Sequence, residues 1–157
     1  MDITRNDKAS RAINDLVETC KDGMKGYETA AESVDNPQIK AELSRFSQQR
    51  AQFANELQTQ AYQMGISPQP KNTLEGAALD VAGAVHRGWI NLKSAVTGHD
   101  SSAVLNECEN GDAAALKTYE QALMVENIPG NIKNVIEKQH SEILEAKNKI
   151  TALKQTV

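Results

Sequence analysis

Aromatic residues and proline are scarce in this sequence. Among 157 residues, 4% are aromatic and 4 are proline, whereas the helix formers Ala, Leu, Lys, Glu and Gln are abundant. Long β-branched runs with alternating polarity are also missing. The composition therefore argues against a sheet-rich fold and predicts an all-helical protein.

The sequence also lacks an excess of positive charge. Its formal net charge is −4 at pH 7, which provides no basic surface for neutralising phosphates or anionic lipid. No segment approaches the roughly 20 consecutive apolar residues that span a bilayer. We therefore expect neither nucleic acid nor a membrane as a partner.

Only two cysteines are present, and the N-terminal segment MDITRNDKAS has no apolar core of the kind found in signal peptides. We therefore expect a cytoplasmic protein in which Cys20 and Cys108 are reduced thiols rather than a disulfide. The cysteines do not have the spacing of a zinc site. A glycine-rich phosphate loop and a nucleophile paired with a base at a recognisable spacing are also missing. The sequence thus favours a protein that is not an enzyme.

Apolar residues recur at spacings of three and four along five segments, which predicts five amphipathic helices. The predicted ranges are 6–34, 37–65, 73–97, 101–126 and 130–155. Pro37 suits the first turn of the second helix, and Gly65 suits its end. Three glycines in the third range indicate a bend or close packing; they are Gly76, Gly83 and Gly88.

Two segments of the sequence resemble each other. GYETAAESVDNPQIK at 26–40 and TYEQALMVENIPGNIK at 118–133 share a tyrosine, a glutamate and a proline, each displaced by 92 positions. The first two helices and the last two are therefore predicted to form two similar αα-hairpins. With the third helix as a crossover, they predict a ferritin-like four-helix bundle in which residues 1–157 form a single domain.

The segment HRGWINLKSAVTGHDSSAVLNECENGDAAALKTYEQAL at 86–123 resembles a family of small bacterial proteins of unknown function. That family consists of four-helix bundles placed with the ferritin-like folds. The likeness extends to LVETCKDGMKGYETAAE at 16–32 and, in weaker form, to most of the chain. The resemblance implies a helical bundle, a cytoplasmic location and a stress-related role, but no particular reaction. Relatives usually have glutamate at the position of Asp112.

Polar residues interrupt the apolar stripes near the middle of the predicted bundle. At a rise of 1.5 Å per residue, Arg50 and Asp112 lie at nearly the same height from the turns of their hairpins. A core-facing arginine requires a partner because a buried unpaired charge is very costly. We predict that Arg50 pairs with Asp112 in a layer with Cys20 and Ile143, and that Gln139 belongs to the same polar core. The alternative is that Arg50 extends from the edge of its stripe to solvent.

A metal centre is the alternative interpretation of the carboxylates. Ferritin-like di-metal sites use a carboxylate from each of two helices and a Glu-x-x-His motif from each of the other two. The sequence EKQH at 137–140 matches this motif in letters, but its helical phase turns the glutamate toward solvent, and SRFSQQR at 44–50 contains no second copy. The candidate ligands for iron or manganese are therefore Asp112, Glu109 and His140. The preferred interpretation has no cofactor.

Several other polar or aromatic residues are not expected to form a site. Glu18 and Asp22 are predicted to lie opposite the apolar stripe of the first helix. Surface or capping positions are expected for His86 and His99, and Trp89 is expected to pack the crossover onto the bundle. These features favour a non-enzymatic binding or structural protein, the resemblance adds a stress-linked role as an implication, and a homodimer is left open.

Overall fold

The computed structural model of the chain describes residues 3–66, 88, 89, 91–98 and 100–157. These residues contain five α-helices and no strand, which confirms the all-helical prediction. The helices are α1 (Ile3–Ser33), α2 (Pro37–Gln63), α3 (Leu92–Thr97), α4 (Ser101–Leu123) and α5 (Gly130–Lys154). No helix in this part of the chain has both the length and the apolar character to cross a membrane.

Capping residues define both ends of α2. The Asn36 side chain accepts two backbone N–H groups of the first turn, and Pro37 lies where its missing N–H is not needed. At the other end, Gly65 has a positive φ of 73°, and the N–H of Ile66 donates to the carbonyl of Ala61 at 2.8 Å. This is a glycine-terminated helix end, as the sequence predicts.

The predicted third helix, 73–97, lies partly outside the described residues, which exclude 67–87, 90 and 99. Gly76, Gly83, His86 and His99 belong to that excluded part. Where the structure does describe this range, Gly88 has a φ of 88° and the helix begins only at Leu92. A residue with left-handed φ cannot continue a right-handed helix. The prediction of one continuous helix is therefore wrong at Gly88 and Trp89.

The four long helices form a ring in which α1 contacts α2 and α4, and α5 contacts the same two helices. One apolar cluster joins the N-terminal halves of α1 and α5 to the C-terminal halves of α2 and α4. Neighbouring helices in the ring are therefore antiparallel. The chain consequently passes from one end of the bundle to the other between α2 and α4. The short helix α3 lies against α1 and α4.

Two apolar clusters fill the bundle, one toward each end. Polar and charged side chains are buried as well; among the described residues these are Thr19, Asp22, Ser47, Arg50, Glu107, Asp112 and Gln139. Asp22 is 5% exposed, so the first helix is also buried on the face that was predicted to lie opposite its apolar stripe. Since α1 packs against α2, α3 and α4, its buried surface is wider than one stripe.

Candidate functional site

Arg50 and Asp112 form an ion pair in the centre of the bundle. Arg50 Nη1 donates a hydrogen bond to Asp112 Oδ1 at 2.7 Å, and the residues are 1% and 0% exposed. Because α2 provides the arginine and α4 the aspartate, the ion pair joins the two hairpins. The guanidinium does not reach solvent, so the alternative that Arg50 extends from the bundle edge is wrong.

The second oxygen of this carboxylate accepts a hydrogen bond from Tyr27 on α1. Its hydroxyl donates to Asp112 Oδ2 at 2.5 Å, and its ring centroid lies 5.2 Å from Arg50 Cζ. Arg50 Nε also donates to Gln49 Oε1 at 3.2 Å. Each oxygen of Asp112 thus accepts a hydrogen bond, one from a cation and one from a phenol, and the guanidinium also faces an aromatic ring.

Gly23 on α1 makes room for the guanidinium. A Cβ at this position would lie 3.2 Å from Arg50 Cγ and 3.4 Å from Arg50 Nη1. The other terminal nitrogen, Nη2, is buried, and none of the described residues accepts a hydrogen bond from it. A buried unpaired N–H costs about 1–3 kcal/mol. The arginine is therefore better explained as a determinant of helix register than as a source of net stability.

A second set of hydrogen bonds connects Cys20, Tyr119 and Gln139. The Tyr119 hydroxyl donates to Gln139 Oε1 at 2.6 Å, and Cys20 Sγ lies 3.0 Å from the same hydroxyl oxygen. Since the phenol has only one proton, the thiol must be the donor to it. Gln139 Nε2 donates to the Phe53 carbonyl at 3.2 Å and to Glu56 Oε1 at 2.9 Å, and these two acceptors fix the amide orientation.

The internal repeat relates the two networks. Tyr27 and Tyr119 are 92 positions apart in the sequence, and so are Cys20 and Asp112. Tyr27 donates a hydrogen bond to Asp112, and Tyr119 contacts Cys20. Each tyrosine therefore reaches across to the helix of the other repeat. The repeat in the sequence pairs the two tyrosines but does not by itself show their hydrogen-bond partners. The offset of 92 positions that Cys20 and Asp112 share with the tyrosines is the signal that could have predicted these partners.

Burial keeps the thiols and phenols of the core protonated. It raises the pKa of Cys20 from 9.0 to about 11 and raises the pKa of Cys108 well above its usual range. The pKa values of Tyr27 and Tyr119 are also raised, chiefly by burial, and the charge of Asp112 raises that of Tyr27 further. At neutral pH the core therefore contains no thiolate or phenolate that could act as a nucleophile.

The candidate metal ligands do not converge. Asp112 has both oxygens engaged in the core, whereas Glu109 Oε1 pairs with Lys154 Nζ at 2.6 Å. His140 Nε2 lies 3.0 Å from Glu120 Oε2 near the surface. Within the described ranges, no group of three or more His, Cys, Asp or Glu side chains could hold a metal ion.

Trp89 packs into a gap between α1 and α4, where its side chain is 3% exposed. A Cβ on Gly26 would lie 2.5 Å from the nearest indole atom, and a Cβ on Gly111 would lie 2.2 Å away. We call this gap the glycine notch. The indole also contacts the Tyr27 ring edge to face, with centroids 5.2 Å apart. The prediction that Trp89 packs the connecting segment onto the bundle is confirmed.

Glu107 attaches the same segment to α4. It is 3% exposed; its Oε2 accepts the backbone N–H of Asn91 at 3.1 Å, and its Oε1 accepts a hydrogen bond from Asn110 Nδ2 at 3.2 Å. The burial of Glu107 was not predicted because the apolar periodicity of α4 reports only the face toward the bundle. Three of the carboxylates of α4 thus have separate surroundings: Glu107 faces the connection, Glu109 faces the end of α5, and Asp112 faces the core.

Residues 8–125 match a family model described as a domain of unknown function (DUF2383). The matched range includes most of α1 and all of α2, α3 and α4. It therefore contains Arg50, Asp112, Tyr27 and both glycines of the notch, while Gln139 lies beyond it. No curated protein matches the chain.

Proposed function

The chain belongs to the DUF2383 family of domains of unknown function, and from its core we propose a role that involves no catalysis. It acts as a ferritin-like helical bundle with a stress-linked binding or structural role. In this proposal, an ion pair occupies the place where a ferritin-like protein holds its metals.

The connectivity supports the ferritin-like part of the proposal. Four helices form an antiparallel ring, and the chain changes ends between α2 and α4, as in bundles with one long crossover. We propose that residues 1–157 fold as a single domain, for which one cooperative unfolding transition is expected. If the protein is a homodimer, the midpoint of that transition will rise with protein concentration.

The environment of Asp112 is the observation that supports the absence of a metal centre. The guanidinium of Arg50 lies 2.7 Å from Oδ1 and already neutralises this carboxylate, while Tyr27 engages Oδ2. A divalent ion bound at Asp112 would have to displace both donors and tolerate a buried cation beside it. The polar core is therefore suited to holding the two hairpins together.

Metal analysis of the purified protein tests this proposal. The protein is purified without chelator, and the amounts of iron and manganese per chain are measured by elemental mass spectrometry. We expect far less than one ion per chain, in the native protein and in Asp112→Asn alike. One retained ion per chain that disappears in Asp112→Asn but persists in Glu137→Gln would overturn the proposal. It would instead support the alternative site of Asp112, Glu109 and His140.

The stress-linked role and the cytoplasmic location rest on the family resemblance of residues 86–123 rather than on the core. They are tested by quantifying the protein in fractionated source cells during growth and after starvation or oxidant exposure. A rise of several-fold in the cytoplasmic fraction is expected. Constant abundance under every stress would contradict this part of the proposal.

A further inference from the structure

The dipeptide Asn110–Gly111 lies in the middle of α4, at the point where α4 packs against Trp89. Asparagine deamidates most readily before glycine, because glycine has no side chain to hinder attack by its own nitrogen. The sequence contains this dipeptide once, so the chain has a single fast position. We propose that Asn110 is a modification site, which deamidates when α4 opens and whose isoaspartate product cannot seat Trp89 again.

The reaction joins a side chain to the main chain. The backbone nitrogen of Gly111 attacks Cγ of Asn110, and the side-chain amide leaves as ammonia with the proton of the attacking nitrogen. The product is a cyclic succinimide. Water then opens this ring at either carbonyl and gives aspartate or isoaspartate. Isoaspartate places one extra carbon in the main chain, whereas aspartate leaves the length of the main chain unchanged.

The folded helix protects the dipeptide even though the Asn110 side chain is exposed. In an α-helix the N–H of residue 111 is directed to the carbonyl of residue 107, so the helix holds this nitrogen in place and leaves it no freedom to reach Asn110 Cγ. The side-chain amide is held as well, because Asn110 Nδ2 donates to Glu107 Oε1 at 3.2 Å. Ring closure therefore requires the turn around residue 110 to open, and its rate follows the population of the open form.

The main chain at this dipeptide is in tight contact with the segment that carries Trp89. A Cβ on Gly111 would lie 2.2 Å from the indole. A Cβ on Gly88 would lie 2.8 Å from the carbonyl oxygen of Asn110 and 2.9 Å from Gly111 Cα. An extra main-chain carbon has no room between these contacts. Aspartate at position 110 would add only a charge, three residues after Glu107, with the small repulsion expected at that spacing.

Peptide mapping by mass spectrometry measures where the chain is modified and how fast. The native protein is incubated at neutral pH in buffer and in guanidinium chloride. In denaturant, Asn110 should deamidate faster than any other asparagine, and in buffer it should react at least about tenfold more slowly than in denaturant. Asn148 is the internal control, because it is also exposed on a helix but precedes lysine, and it should stay far slower in denaturant. Equal rates at Asn110 in both solutions, or a faster asparagine elsewhere in denaturant, would overturn the inference.

Tryptophan fluorescence tests the effect on Trp89. The treated chains are returned to buffer, and the isoaspartate form is isolated by chromatography. Its emission should lie at longer wavelength than that of the untreated protein. The matched control is Asn110→Asp, which has the new charge without the extra carbon and should keep the native emission. Native emission from the isoaspartate form, or an equal shift in Asn110→Asp, would overturn the inference.

Discussion

Arg50 and Asp112 meet at 2.7 Å from opposite hairpins, and neither is open to solvent. The pair lies between two apolar clusters, one toward each end of the bundle. If one hairpin slid along the other by a helical turn, about 5.4 Å, the two charges would separate. Many of the apolar contacts that were lost would be replaced by contacts with other apolar residues. We therefore interpret the pair as a constraint on the relative register of the hairpins, in line with the use of buried polar groups in other helical proteins.

Breaking this ion pair should be strongly destabilising. Arg50→Met or Asp112→Asn should each lower the free energy of unfolding by about 3–5 kcal/mol, because each leaves the other charge buried without its partner. The double variant should recover much of that loss, since it buries no charge and the amide oxygen introduced at position 112 can still accept from Tyr27. Urea unfolding of the four proteins gives the coupling energy. Additive losses would contradict the partnership. As a control, Arg45→Met removes the ion pair between the exposed Arg45 and the half-buried Glu42, and it should change stability by less than about 1 kcal/mol.

The two core tyrosines should both contribute through their hydroxyl groups. Tyr27→Phe removes a donor to a buried carboxylate, and Tyr119→Phe leaves Gln139 Oε1 without that donor. Each should lower the free energy of unfolding by about 1–3 kcal/mol, as expected for buried groups left unsatisfied. Tyr62→Phe is the matched control, because Tyr62 is 71% exposed. If the core variants unfolded at the same urea concentration as this control, their hydrogen bonds would have no role in stability.

Sequence periodicity was sufficient to predict the four long helices and the pairing of Arg50 with Asp112. That pairing could be predicted because a charge within an apolar stripe demands a partner and because helical rise fixes height in the bundle. The partners of Tyr27 could not be predicted in this way, since a tyrosine in an apolar stripe resembles any large core residue. The burial of Glu107 depends on where the connecting segment lies, which helical periodicity does not report.

Both thiols should resist modification in the folded protein. Cys20 and Cys108 are free and at most 1% exposed, and burial raises the pKa of each thiol. Labelling by a thiol reagent at neutral pH should therefore be slow in buffer and rapid in denaturant, with two thiols found per chain. The rate is followed by mass spectrometry of the intact protein. Rapid native labelling of either cysteine would mean that its helix does not face the core as described.

Trp89 should report on the notch by its fluorescence. In the native protein its emission should be blue-shifted relative to the denatured protein, since the indole is 3% exposed. Gly111→Ala should shift the emission to longer wavelength and increase quenching by acrylamide, because a Cβ there would lie 2.2 Å from the ring. Gly130→Ala should change neither quantity. Identical spectra for the two alanine variants would show that the glycine at 111 is not needed to seat the indole.

The raised pKa of Cys20 should make the protein less stable in alkali. Below pH 9 the thiol is protonated in both folded and unfolded chains, and its burial carries no pH-dependent penalty. Between its unfolded pKa of 9.0 and its folded pKa of about 11, the unfolded chain loses a proton that the folded chain retains, so stability falls as pH rises. The loss from this group should reach about 2–3 kcal/mol. Cys20→Ser retains a hydroxyl donor for Tyr119 but does not titrate in this range, so its free energy of unfolding should fall less steeply than that of the native protein between pH 9 and 11. Urea titrations at each pH measure both slopes, and equal slopes would show that Cys20 is ionised as readily in the folded bundle as in the unfolded chain.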